Sequence, residues 1–259
     1  MQLQLGAAMS YDPRQRSANS SGVGVAKLES EIVNTLVPFL KRSFRSGPGR
    51  DLVIVPEFGV DNGVCDLALF VVRTKLITRR IRANLLESFA TPSQAAILAT
   101  LMTFPVLRKE TLFRHTGLLP KTFRHQLDRL VDADAVRYVK SRQIYRLNPN
   151  FKMLFEQAIA IEAKVSKWRK ALYQATRYAT FAKRTFVALK SESVPAAKRN
   201  LSAFRANRVG LIEVDTERRL CKIILSQTRR RPTSRTSLIM ANEKLFSHYL
   251  NTIRGGGQA

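Results

Sequence analysis

The order of helical and strand patterns along the chain restricts its fold more than any other feature of the sequence. An amphipathic helical pattern at 26–44 precedes two apolar strand patterns at 51–58 and 63–72, and the Asn-Gly pair between those strands favours a tight hairpin turn. Later segments alternate between strand and helix: a strand at 158–164, a basic helix at 167–184, a strand at 185–191, a helix at 195–208 and a hairpin at 210–226. This order predicts an α/β fold.

A different pattern interrupts that order. Pro92 follows Thr91 at a helix start, where proline is favoured, and a second helix ends at Gly117. A third helix at 120–134 is followed by a strand pair at 135–148. Three helices and a hairpin are typical of a winged helix-turn-helix. We therefore predict a core at 23–80 and 151–226, a winged-helix insertion at 81–150, a flexible N-terminus at 1–22 and a basic tail at 227–259.

The charge of the chain indicates its class of partner. The 259 residues include 44 Lys and Arg against 19 Asp and Glu, a formal net charge of +25, and the excess is spread along the whole chain. Such a surface attracts polyanions, either nucleic acid or, less often, anionic lipid.

The sequence has neither a membrane-length apolar run nor a signal-peptide pattern, and its two cysteines have no metal-binding spacing. We expect a cytoplasmic protein without a membrane or zinc.

Four charged residues stand in apolar patterns. Glu29 lies in the apolar stripe of the first helix, and Asp66 lies in the strand VCDLALF. Glu162 and Lys164 are two apart, on one face of the strand AIAIEAK. Taken singly, each is more often a solvated or edge residue. Together they suit metal-assisted phosphodiester hydrolysis, in which two carboxylates hold Mg²⁺ and a lysine serves the attacking water.

The order of an aspartate on the second strand and Glu-x-Lys at the end of a later strand resembles the PD-(D/E)XK nuclease superfamily. Gln174 and Tyr178, four apart on the next helix, resemble the Q-x-x-x-Y element of its RecB-like branch. Two features depart from the family pattern. The residue before Asp66 is Cys65, where the family motif has proline. The gap from Asp66 to Glu162 is long, but removing the insertion shortens it to an ordinary connection.

The resemblance implies a restriction-endonuclease-like core, a mixed sheet flanked by helices, and a Mg²⁺-dependent DNA endonuclease in which Mn²⁺ substitutes. Asp66 and Glu162 would hold the metal, Glu29 would support it or its water shell, and Lys164 would serve the attacking water. Gln174 and Tyr178 would shape the pocket.

Basic residues on three segments are candidates for DNA contact, most directly with double-stranded DNA. The third helix of the insertion lies where a recognition helix meets the major groove, and the hairpin would be the wing over the backbone. The candidates are Lys121, Thr122, Arg124, His125 and Arg129 on that helix, Lys140, Arg142 and Arg146 on the hairpin, and Lys167, Arg169, Lys170 and Arg177 on the helix after the Glu-x-Lys strand. Lys183 and Arg184 extend the last group.

Other interpretations stay open at this point. The winged helix could serve protein contacts, and the whole chain could be a non-catalytic DNA-binding regulator or recombination accessory protein on a nuclease-like scaffold. RNA as the substrate, a homodimer, and a partner protein in a larger DNA-processing complex are all compatible with the sequence.

Overall fold

The computed structural model describes residues 20–44, 47–61 and 63–255. Within these residues, six strands form one mixed sheet. In order across the sheet, they are β1 (Arg50–Val60), β2 (Gly63–Arg73), β5 (Phe155–Lys164), β6 (Arg184–Lys190), β7 (Gly210–Asp215) and β8 (Leu220–Leu225). The β5-β6 and β6-β7 pairs are parallel and the other pairs are antiparallel.

Helices cover both faces of this sheet. The described helices are α1 (Ser20–Ser43), α2 (Thr74–Arg82), α3 (Pro92–Thr103), α4 (Lys109–Thr116), α5 (Pro120–Asp132), α6 (Trp168–Arg177), α7 (Val194–Lys198), α8 (Leu201–Ala206) and α9 (Arg235–Gly255). Helix α1 packs its buried residues Ile32, Leu36 and Leu40 on one face, and α6, α7 and α8 pack on the other. The predicted α/β class, a mixed sheet flanked by helices, is confirmed.

Strand β5 lies in the middle of this arrangement. Its sequence FEQAIAIEAK is buried at eight of ten positions. Because both faces of the strand are covered by protein, small and branched apolar residues fill both of its sides. Glu162 is therefore held in a part of the sheet that excludes water, and Lys164 is the last residue of the strand.

The segment between β2 and β5 contains α2, α3, α4, α5 and a hairpin of β3 (Val136–Val139) and β4 (Ile144–Leu147). A bridge between Leu107 and Tyr145 joins the hairpin to the residues before α4. The segment shares its buried apolar core with α9 and with the β1-β2 hairpin. The predicted order of three helices and a hairpin is present, and its core is continuous with that of the sheet.

Several predicted boundaries were wrong. The basic helix expected over 167–184 ends at Arg177, and a 3₁₀ turn, Tyr178–Thr180, follows it. The helix expected over 195–208 divides into α7 and α8. Helix α2 was not predicted, because its two buried side chains, Ile77 and Arg80, give too weak an apolar pattern.

The predicted tail at 227–259 contains the long helix α9, whose residues Ile239, Leu245 and Phe246 are buried in the core. The predicted flexible N-terminus lies outside the described residues up to residue 19, and α1 begins at Ser20. No helix in the described part of the chain combines the length and the apolar character needed to cross a membrane.

Candidate active site

The candidate site begins where β2 and β5 stop pairing. Their paired register ends at Leu67 opposite Ile161. Beyond this pair, the backbone N–H of Ala163 donates to Oδ2 of Asp66 at 2.7 Å. The aspartate side chain thus satisfies an N–H that the neighbouring strand no longer reaches. This contact fixes Asp66 next to Glu162 and Lys164 on β5.

The ammonium of Lys164 lies at the centre of the acidic residues. Its Nζ is 3.2 Å from Oε1 of Glu162, 3.3 Å from Oε2 of Glu29 and 3.6 Å from Oδ2 of Asp66. The structure therefore brings together residues from α1, β2 and β5 that are up to 135 positions apart in sequence. The four charged residues singled out in the sequence form one cluster.

Glu162 is the most buried member of this cluster, with a side-chain exposure of 2%. Burial, and then the nearby charge of Asp66, raise the pKa of Glu162 above its ordinary value. Hydrogen bonds from Tyr178 and Lys164 and the lysine charge oppose this rise. The carboxylate thus lies in surroundings that favour its neutral form, and its charge depends on these donors.

Tyr178 supplies one of those donors. Its hydroxyl oxygen is 2.6 Å from Oε2 of Glu162 and 2.7 Å from the carbonyl oxygen of Val64. A phenol has one proton, so it donates to one of these acceptors at a time. Burial, together with the hydrogen bond and charge of Glu162, raises the pKa of Tyr178, and the phenol stays protonated at neutral pH.

Lys164 stays charged for a related reason. Burial would lower the pKa of Lys164, but the charges of Asp66, Glu162 and Glu29 outweigh it, and the net effect raises that pKa. An ammonium of this kind can hold a negatively charged group or a water molecule, but it is not available as a base in this arrangement.

Glu29 reaches the cluster from α1, which packs on the face of the sheet opposite α6. It precedes Ile32 by three residues on α1, and the burial of Ile32 and Leu36 against the sheet aims that side of the helix at the protein. Glu29 is partly exposed, with 27% of its side-chain surface accessible. A carboxylate in this apolar stripe is explained by its ion pair with Lys164.

Gln174 lies one helical turn before Tyr178. Its side-chain Oε1 is buried and has no hydrogen-bond partner among the described residues. A buried polar atom without a partner costs free energy, so this position needs a reason beyond packing. Within the described part of the chain, no hydrogen bond joins the Gln174 side chain to the four charged residues.

The candidate DNA-binding residues occupy three surfaces. All of them are exposed except Thr122, which is half-buried: Lys121, Arg124, His125 and Arg129 on α5, Lys140, Arg142 and Arg146 on the hairpin, and Lys167, Arg169, Lys170 and Arg177 at α6. On α5 they lie opposite the buried Phe123, Leu127 and Leu130. Arg129 donates to Glu87 at 2.8 Å, and Arg177 lies beside Gly63 at the start of β2.

Lys183 and Arg184 do not belong with α6, as the sequence suggested. The helix ends earlier, and Arg184 begins β6, whose register places it beside Ile159 of the parallel strand β5. Because parallel strands start at the same edge, these two residues lie at the sheet edge opposite Lys164. Sequence patterns did not reveal this separation, since the end of α6 depends on the contact of Tyr178 with Glu162.

Comparisons with protein-family models, with curated proteins and with solved structures found no match for this chain. In the described residues, no group of three or more His, Cys, Asp and Glu side chains is arranged to hold a metal ion. The carboxylates converge on an ammonium group instead.

Proposed function

We propose that this protein is a Mg²⁺-dependent endonuclease with a PD-(D/E)XK-type core, and that it grips DNA with a winged helix inserted at 81–150. The observation that carries the proposal is the position of Lys164, whose ammonium contacts Glu29, Asp66 and the buried Glu162. A buried carboxylate beside a second carboxylate costs free energy that a purely structural role does not require.

Asp66 and Glu162 are suited to hold the metal ion. They are hard oxygen donors on adjacent strands, and the charge of Asp66 contributes to the raised pKa of Glu162, which a cation between them would reverse. Mg²⁺ is commonly bound by one or two carboxylates and completes its ligands with water and phosphate, so a third protein ligand is not needed. When bound, Mg²⁺ lowers the pKa of a coordinated water and offsets charge on a phosphate.

The remaining residues have separable roles in this proposal. Lys164, released from one of its carboxylates, would hold a phosphate oxygen or the attacking water. Tyr178 fixes the orientation of the Glu162 carboxylate through its 2.6 Å hydrogen bond. Glu29 keeps Lys164 directed at the cluster, and Gln174, one turn before Tyr178, would shape the protein wall behind the site.

The nucleic-acid part of the proposal is supported by the exposed basic surface. Helix α5 buries one side and presents Lys121, Arg124 and His125 on the other, as a recognition helix would. The hairpin after it carries Lys140, Arg142 and Arg146, all exposed, in the position of a wing. Together with the net charge of +25, these surfaces suit a phosphate backbone.

The test is cleavage of supercoiled plasmid by wild type and by Glu162→Gln and Lys164→Met, with Mg²⁺ and then with EDTA. A matched pair of controls is Glu213→Gln and Lys198→Met, because these residues form an acid-lysine pair 3.4 Å apart on β7 and α7. We expect EDTA-sensitive nicking in wild type and in both controls, and a loss of at least about a hundredfold in the site variants.

A second readout does not depend on activity. Mg²⁺ at ten times its dissociation constant should stabilise the folded wild type by about 1.4 kcal/mol, since only the folded protein has the site. Thermal unfolding of Glu162→Gln should be insensitive to the ion. DNA binding with neither cleavage nor metal stabilisation would instead favour a non-catalytic DNA-binding protein, and cleavage of an RNA of matched sequence alone would reassign the substrate.

A further inference from the structure

A basic cavity lies at the sheet edge opposite the candidate active site. It has a volume of about 500 Å³, and its lining includes Arg50, Val71, Gln157, Arg184 and Arg229. Gln157 and Lys164 are seven residues apart on β5, so the two sites are separated by about 23 Å along the strand. None of the clustered residues of the candidate active site lines this cavity.

The described lining is strongly basic. It contains Arg50, Lys183, Arg184 and Arg229 and a single carboxylate, Glu156. That carboxylate is already shared: Arg50 lies 3.0 Å from it and Arg73 lies 2.8 Å from it. Its charge is therefore neutralised, and the ammonium of Lys183 donates to the carbonyl oxygen of Glu156. Arg184 and Arg229 are left without an anion beside them among the described residues.

Arg184 shows this lack of a counter-charge most directly. Its Nε is buried and has no hydrogen-bond partner among the described residues. Burial and the neighbouring charge of Arg229 lower the pKa of Arg184, although an arginine in a protein stays protonated. Two guanidinium groups that line one cavity, one of them with a buried unpaired donor, are an arrangement that an anion would stabilise.

The arginine positions are fixed by backbone contacts. The N–H of Arg230 donates to the carbonyl oxygen of Lys183 at 2.9 Å, so the segment that carries Arg229 is attached to the start of β6. The guanidinium of Arg230 also donates to Oγ1 of Thr185 at 3.3 Å. The backbone beside Arg229 is therefore held next to the start of β6, so that Arg184 and Arg229 line the same cavity.

We propose that this cavity binds the phosphate of a nucleotide, with Arg184 and Arg229 as its main ligands and Lys183 and Arg50 beside them. Arginine pairs oxyanions through parallel N–H donors, which suits a phosphate group. The volume is within the range of cavities that hold small molecules and exceeds that of a lone ion, and Phe44 and Val71 supply apolar surface for a base or sugar. The phosphate belongs either to a free nucleotide or to a nucleic-acid strand.

Isothermal titration of the full chain with AMP, with adenosine, and with a short oligonucleotide with or without a 5′-phosphate tests this proposal. We expect wild type to bind a phosphorylated probe and not adenosine. Arg184→Gln with Arg229→Gln should weaken binding by about tenfold to a hundredfold, because charge-assisted hydrogen bonds are lost. Arg229→Glu alone, at an exposed position, should weaken it similarly without disturbing the fold.

The control removes two arginines elsewhere, Arg199 and Arg205, both exposed on the other side of the sheet from α1. Their double replacement by glutamine should leave binding unchanged, since neither residue lines the cavity. Binding of AMP identifies a free nucleotide as sufficient, and binding of the oligonucleotides alone identifies a strand. Equal loss in the Arg199 and Arg205 control, or equal binding of adenosine, would overturn the proposal.

Discussion

The charge of one residue, Glu162, depends on a small number of neighbours. The carboxylate is almost wholly buried, burial and Asp66 raise its pKa, and the phenol of Tyr178 and the ammonium of Lys164 oppose that rise. A metal ion between Asp66 and Glu162 would take over part of that role. Activity should therefore fall as the pH falls through the raised pKa of Glu162, since a protonated carboxyl is a poor ligand.

Tyr178→Phe tests this dependence without removing the ring. The hydrogen bond from the phenol favours the charged form of Glu162, so its loss raises the pKa of Glu162 further. A hydrogen bond to a charged group is worth about 1.5–3 kcal/mol, so the acidic limb of the cleavage rate should move to higher pH by about one unit or more. The measurement is the pH dependence of plasmid nicking at saturating Mg²⁺.

Tyr173→Phe is the matched control for this change. Tyr173 lies on α6, five residues before Tyr178, but 68% of its surface is exposed and its hydroxyl makes no hydrogen bond to another described residue. Its pH profile should coincide with that of wild type. If Tyr178→Phe lowers the rate equally at every pH, the phenol supports the local structure instead of the charge of Glu162.

At the scale of helices and strands, the sequence predicted the local elements better than their ends. Short, nearly continuous apolar runs in the β1, β2 and β5 segments predicted these strands and the places of Asp66, Glu162 and Lys164 on them. Proline at the first position of α3 was a reliable local signal. These features depend on near neighbours in the chain, which sequence patterns can report.

The end of α6 could not be predicted in this way. The sequence QATRYATFAKR contains no residue that stops a helix. The helix ends at Arg177 because the Tyr178 phenol contacts β2 and β5. The N–H of Lys183 then donates to the carbonyl oxygen of Ala158. Both contacts join residues distant in sequence. The separation of Arg184 from α6, and with it the second cavity, follows from these tertiary contacts.

Helix α5 provides a prediction at the scale of one element. Each phosphate contact contributes about 0.9 to the slope of log affinity against log salt, so Arg124→Ala should weaken DNA binding and reduce that slope by about 1. Arg124 is exposed on the helix, while Phe123 beside it is buried, so the fold should be unaffected. Fluorescence anisotropy of a labelled duplex at several salt concentrations measures both quantities.

Arg205→Ala removes one exposed arginine from α8 and is the control for Arg124→Ala. Its slope should match that of wild type. If both variants reduce the slope equally, binding depends on the overall charge of the protein, and α5 has no special role in it.

Across the whole molecule, one buried ion pair joins the C-terminal helix to the segment before the three-helix region. Arg80 on α2 and Glu243 on α9 have no exposed surface, and two hydrogen bonds of 2.7 Å link them. Arg80 also donates to the carbonyl oxygens of Leu85 and Glu87, and the N–H of Phe89 donates to Glu243. Every charge in the network has a partner, a condition that a buried pair must meet to be tolerated.

Glu243→Ala should therefore destabilise the protein far more than the loss of an exposed pair. It leaves the Arg80 guanidinium buried without its counter-charge, which should lower the free energy of unfolding by about 3–5 kcal/mol. The control, Arg218→Ala, removes an exposed arginine paired with Asp215 and should lower it by less than about 1 kcal/mol. Urea unfolding followed by circular dichroism measures both. Replacing both partners, as Arg80→Met with Glu243→Leu, should recover most of the loss, because no unpaired charge is then buried. A double variant as unstable as Glu243→Ala would mean that α9 is held by the hydrogen bonds to the 85–89 backbone and not by the balance of charge.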